Sequence, residues 1–100
     1  MGEWVTLDTH HGPVRAWQAT PAGKPRAGLV VIQEIFGVNP HVREVAEGFA
    51  AAGYAVLAPS FFDLIDGVES DPDALPYDPG GVEQGLERVN ALGVEKALEI

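Results

Sequence analysis

An apolar run that ends in an acid is the first place in this chain to look for chemistry. Gly28-Leu-Val-Val-Ile-Gln-Glu-Ile-Phe-Gly37 passes through Leu29 to Ile32 without interruption and then delivers Glu34. Such a run suits a strand covered on both faces in a parallel sheet, and Asn39-Pro40 then opens a helix. Ligands of open α/β sheets bind beyond the carboxyl ends of the strands. Glu34 and the Ile35 amide therefore stand where a base and a donor to developing negative charge could act. Each also has a plainer reading. A carboxylate at a strand end is commonly the partner of an arginine or a backbone amide, and Gly37 fits a tight strand-to-helix turn as well as an oxyanion pocket.

Other polar clusters carry less. His10 and His11 are adjacent, so they point apart in a strand or turn, and no carboxylate cluster stands nearby in sequence, which makes a solvated hairpin turn the better reading than a metal pair. His41 reads as a surface histidine in the first turn of a helix. Asp71, Asp73 and Asp78 lack the glycine and closing glutamate of a calcium loop, and prolines interrupt them. Gly80-Gly81-Val82-Glu83-Gln84-Gly85 follows an acidic loop instead of a strand, which excludes a dinucleotide fingerprint. No metal and no cofactor are expected. Ser60 and Ser70 lack the flanking glycines of a nucleophile elbow.

The elements that must position Glu34 are legible on either side of it. Trp4–Thr9 and Val14–Ala19 alternate across His10-His11-Gly12-Pro13 and predict an antiparallel hairpin. A strand is expected from Ala27 to Gln33, then a helix from Pro40 to Ala52 with Asn39 as N-cap and Gly53 just past its end. Val42, Val45, Ala46 and Phe49 form its apolar stripe, with Arg43, Glu44 and Glu47 turned outward. Tyr54–Ala58 predicts a second strand, parallel to the first. Residues 61–81 read as a long acidic loop, and Val82, Leu86, Val89, Gly93, Ala97 and Ile100 as one face of a last helix with no visible end. The fold class is α/β, a mostly parallel sheet with an antiparallel N-terminal hairpin.

Composition narrows the partners. Fifteen acidic against 6 basic residues give a net charge of -9, which repels nucleic acid and anionic membrane surfaces. No apolar stretch approaches the roughly 18 residues of a membrane span, and no basic region followed by an apolar one opens the chain. The absence of cysteine excludes disulfides and thiolate metal sites and fits a cytoplasmic location.

Gln33-Glu34-Ile35-Phe36-Gly37-Val38-Asn39, followed by Arg43-Glu44, a helix and Gly53-Tyr54-Ala55-Val56-Leu57-Ala58-Pro59, resembles the N-terminal part of the dienelactone hydrolases. These carboxymethylenebutenolidase-like enzymes are a branch of the α/β-hydrolase fold, and the resemblance covers about residues 4 to 63. It implies a hydrolase that opens a small-molecule ester or lactone with a cysteine nucleophile. It also implies that Glu34 contacts and activates the thiol, that the Ile35 amide forms half of the oxyanion hole, and that Phe36 and Tyr77 touch substrate. The family binds its anionic substrate with basic and tyrosine side chains in roughly the region of Asp71 to Gly85. Here that stretch holds Tyr77 and several acids but no Arg, which favours a related ester or lactone.

The family's Gly-x-Cys-x-Gly elbow, and the Asp and His that follow it, have no counterpart in this sequence. Residues 1–100 are therefore expected to be the N-terminal portion of a single α/β-hydrolase domain, inactive alone. The nucleophile would lie outside them, and the rest of the fold, as a separate segment, is the partner this reading allows. The alternative is a non-catalytic α/β ligand-binding or structural module in which Glu34 is a structural carboxylate.

Overall fold

A computed structural model describes residues 2–73, 75 and 78–93. Strand β1 (Gly2–Thr9) and strand β2 (Gly12–Ala19) form the expected hairpin, with Trp4 opposite Trp17 and His10 and His11 exposed at its tip. Strand β3 (Gly28–Val30) leads to helix α1 (Pro40–Ala51), and strand β4 (Ala55–Pro59) returns to the sheet. Helix α2 (Asp63–Asp66) is a single turn, and helix α3 (Pro79–Leu92) closes the described chain.

The strand order is β1-β2-β4-β3, with β3 parallel to β4 and both other pairings antiparallel. The parallel crossover through α1 is as expected, while among the described residues the sheet is mixed. The hairpin takes one side of β4, which leaves a single parallel pair among the described residues. Strand β3 is also shorter than Ala27–Gln33, although the Val31 amide still donates to the Leu57 carbonyl at 2.8 Å. It is not covered on both faces. Leu29 and Val31 pack into the core, whereas Val30 and Ile32 are 61% and 63% exposed.

Helix α1 starts where its cap chemistry dictates. The Asn39 side chain accepts the Val42 amide at 3.0 Å, Pro40 follows, and Gly53 at φ +106° lets the chain leave. Its buried face is Val42, Ala46 and Ala50, one residue in four, and not the Phe49 side of the stripe. Small alanines let the helix approach Ala19 and Val56 of the sheet closely. Phe49 stays 44% exposed, edge-on to Tyr54.

Arg43 and Glu47 were expected to face solvent, yet both are drawn onto the sheet by two tryptophans. Trp17 Nε1 donates to Glu47 at 3.1 Å, and the Arg43 guanidinium lies about 5.5 Å from the ring centres of Trp4 and Trp17.

The acidic stretch differs from a plain loop. Helix α3 begins at Pro79, not Val82, because Asp78 caps it by accepting the Gly81 amide at 2.9 Å. It ends at Leu92, and Gly93 at φ +80° turns the chain away, so Gly93 is a stop and not part of the helical face. Leu86 and Val89 remain 49% and 38% exposed, while Gly81, Gly85 and Leu92 form the buried side. Residues 94–100, including Ala97 and Ile100, lie outside the described residues. No helix among the described residues is long and apolar enough to cross a membrane.

Candidate active site

Glu34, Ile35, Phe36 and Gly37 form one tight turn at the carboxyl end of β3. The Gly37 amide donates to the Glu34 carbonyl at 3.0 Å, and Gly37 sits at φ +83°, so the turn reading of this glycine holds. Glu34 is exposed at this turn. Among the described residues the Ile35 amide donates to no backbone or side-chain acceptor, so it keeps an N–H for an incoming group.

Three contacts hold this turn. The Gln33 side chain spans from β3 to the end of β4, donating to the Glu34 carbonyl at 3.2 Å and accepting the Phe61 amide at 2.9 Å. Arg43 donates to the Val38 carbonyl at 3.0 Å on the other flank. Helix α3 closes the third side, because a side chain at Gly85 would strike the Ile35 carbonyl. Gln33 and Gly85 were in view in the sequence, but only their distant partners reveal the positions they hold.

Phe36 faces two hollows. One is an open pocket of about 470 Å³ bounded by Phe36, Asp78, Pro79 and Val82. The other is a crevice of about 30 Å³, room for about one water, where Phe36 and Val38 face Arg15, Asp63 and Ser70. Tyr77 lies outside the described residues. His41 is exposed on the first turn of α1.

The crevice wall is a buried ion pair that sequence reasoning missed. Arg15 grips Asp63 three times, through its backbone amide at 2.8 Å, Nε at 2.9 Å and Nη2 at 2.8 Å. The Ser60 hydroxyl donates to Asp63 at 3.0 Å, and Ser70 Oγ accepts from Arg15 at 3.1 Å while donating to the Gly67 carbonyl. The hydrogen bond to Asp63 raises the Arg15 pKa above the ordinary arginine value; burial opposes it, and the charges of Asp63 and Asp71 add to it. Both serine hydroxyls are committed to this network, which agrees with their lack of elbow geometry.

The segment that carries this turn matches a known family. The family model described as "Dienelactone hydrolase family" matches residues 14–75. The chain belongs to the dienelactone hydrolase family. It is 50% identical over 52 residues to a candidate carboxymethylenebutenolidase of Azospirillum brasilense, which covers 51% of this chain and 22% of the relative. Against a candidate carboxymethylenebutenolidase of Saccharolobus solfataricus it is 32% identical over 96 residues, 96% of this chain and 34% of the relative.

The crystal structure of a candidate dienelactone hydrolase from Klebsiella pneumoniae superposes with a TM-score of 0.67 at 24% identity. That match covers 89% of this chain and 36% of the other, and it shows the shared α/β fold. The chain thus spans about a fifth to a third of the length of these relatives.

Proposed function

We propose that residues 1–100 are the N-terminal portion of one α/β-hydrolase domain in a cytoplasmic esterase or lactonase of dienelactone-hydrolase type. The turn after β3 brings two groups to the nucleophile, which other residues of that domain supply. The Glu34 carboxylate takes the nucleophile's proton, and the Ile35 amide donates to the oxyanion that forms when the carbonyl is attacked. The observation that carries this reading is the Glu34–Gly37 turn within the segment matched by the family model.

Glu34→Gln in the complete protein tests it, because the change keeps shape and removes the base. kcat/KM on a neutral aryl ester should fall roughly 10²–10⁴-fold while the melting temperature stays within a degree or two, as expected for an exposed side chain. Near-normal hydrolysis by the variant, or a loss of stability in place of activity, would make Glu34 the structural carboxylate of a non-catalytic module.

A further inference from the structure

We infer that Gln33 is a positioning residue for the reaction: by gripping the Glu34 carbonyl, its side-chain amide aims the Ile35 N–H at the oxyanion. This deepens the hydrolase reading and rests on it. The Glu34 C=O and the Ile35 N–H belong to one planar peptide unit, and no peptide bond among the described residues is cis. In a trans unit these two groups point in opposite directions. Whatever fixes the carbonyl therefore fixes the line along which the amide donates.

The backbone ladder cannot fix it. The Ala55 amide donates to the Ala27 carbonyl at 3.0 Å and the Val31 amide to the Leu57 carbonyl at 2.8 Å, the alternating pattern of a parallel pair. The next donor this pattern requires on β4 is residue 59, and Pro59 has no N–H. Where the ladder stops, the Gln33 side chain takes over, spanning from the Glu34 carbonyl at 3.2 Å to the Phe61 amide at 2.9 Å. The Gly37 amide occupies the other lone pair of the same carbonyl at 3.0 Å.

The chemistry of the two ends explains why a glutamine stands here. The Phe61 N–H can only donate and the Glu34 carbonyl can only accept, so the bridging group must accept at one end and donate at the other. A carboxylate fails at the carbonyl, and an apolar side chain fails at both. Two bonds to one carbonyl also polarise the peptide unit, which strengthens the Ile35 N–H as a donor. The far end of the bridge is anchored. Ser60, the neighbour of Phe61, donates its amide to the Arg15 carbonyl at 2.7 Å and its hydroxyl to Asp63 at 3.0 Å.

Gln33→Glu and Gln33→Met in the complete protein test it. The first keeps the shape and the bond from Phe61 but sets an oxygen against the Glu34 carbonyl; the second keeps the length and removes both bonds. On para-nitrophenyl butyrate each should lower kcat about 10–100-fold, the scale of a donor misaimed instead of deleted, with KM within about twofold of wild type. A trifluoromethyl ketone with the same acyl chain gives a second readout, because its carbonyl carbon takes the nucleophile and its oxygen receives the π pair as an oxyanion. Its inhibition constant should rise by the factor by which kcat falls. A side chain that only supports the fold would lower the melting temperature and leave the ketone's affinity for the folded enzyme unchanged. That outcome, or an unchanged kcat in a folded variant, would overturn the inference and leave the hydrolase reading, which Glu34→Gln decides, standing. If one variant does not fold, the other decides; if neither folds, Gln33 is a structural clamp and the inference falls. No hydrolysis by the wild type would remove the hydrolase reading, and this inference with it.

Discussion

Gly85 lies against the carbonyl of Ile35, so the helix that closes the described chain is seated directly on the turn that presents the candidate oxyanion amide. Only a residue without a Cβ allows that approach. In an exposed helix, Gly→Ala stabilises by about 0.5–1 kcal/mol. Here the new methyl would meet backbone instead of a flexible side-chain tip, and overpacking of that kind costs about 1–3 kcal/mol. The clash wins. Gly85→Ala should lower the melting temperature and displace Ile35, so kcat/KM should fall with it. A rise in melting temperature would mean that the helix stands farther from the turn.

Arg15 and Asp63 make the second prediction. The Asp63 side chain is 1% exposed and receives three hydrogen bonds from one arginine, two of them from the guanidinium, so Arg15→Met leaves a buried carboxylate with only the residue-15 backbone amide and the Ser60 hydroxyl as partners. Losing one member of a buried pair costs about 3–5 kcal/mol. The folded-state pKa of Arg15 is raised, so its contribution is fully present below the unfolded arginine value and is lost only as pH climbs past the folded one. The gap in stability between wild type and Arg15→Met should therefore stay constant from about pH 7 to pH 10, as followed by urea unfolding. A gap that closes within that range would show that the guanidinium charge is not what holds Asp63.

How much of this was readable beforehand follows from the range of each interaction. The hairpin and α1 rest on alternation, one cap and one proline, all local, and both stand where those signals put them. Helix α3 carries the same signal, Asp78-Pro79 repeating Asn39-Pro40, but Gly80 and Gly81 behind it suggest loop and hide the start. Helix α2 has no pattern to read. It is one turn whose first residue, Asp63, is fixed by Arg15, 48 positions earlier. The burial of Ala50 in place of Phe49 likewise depends on how closely α1 approaches the sheet, which the period of the stripe does not contain. At the site, Glu34, Ile35 and Phe36 are adjacent in sequence and were found together. Gln33, Gly85 and the Arg15 network act through distant partners and were not.

Arg43 separates stacking from surface pairing. Its guanidinium bonds to the Val38 carbonyl, lies near two tryptophan rings and meets Asp73, whose side chain is 46% exposed. Exposed pairs contribute about 0–1 kcal/mol, so Asp73→Asn should change stability by less than about 1 kcal/mol. Arg43→Lys keeps the charge but loses the planar fork, and should cost more, about 1–2 kcal/mol. Denaturant midpoints of the two variants provide the comparison. An Asp73→Asn loss equal to that of Arg43→Lys would place the energy in the ion pair.

Asp78 can be split into a cap and a charge. Its side-chain oxygen accepts the Gly81 amide, a role asparagine fills equally well, so Asp78→Asn keeps the cap while removing the negative charge at the rim of the Phe36 pocket. The charge also complements the dipole of α3, which sets the expected stability loss at about 0.3–1 kcal/mol. Asp78→Ala removes cap and charge together and should cost about 0.5–2 kcal/mol. Urea midpoints of the two variants separate the contributions, because asparagine keeps the cap and alanine does not. Equal losses would place the whole contribution of Asp78 in its charge, and a loss confined to Asp78→Ala would place it in the cap.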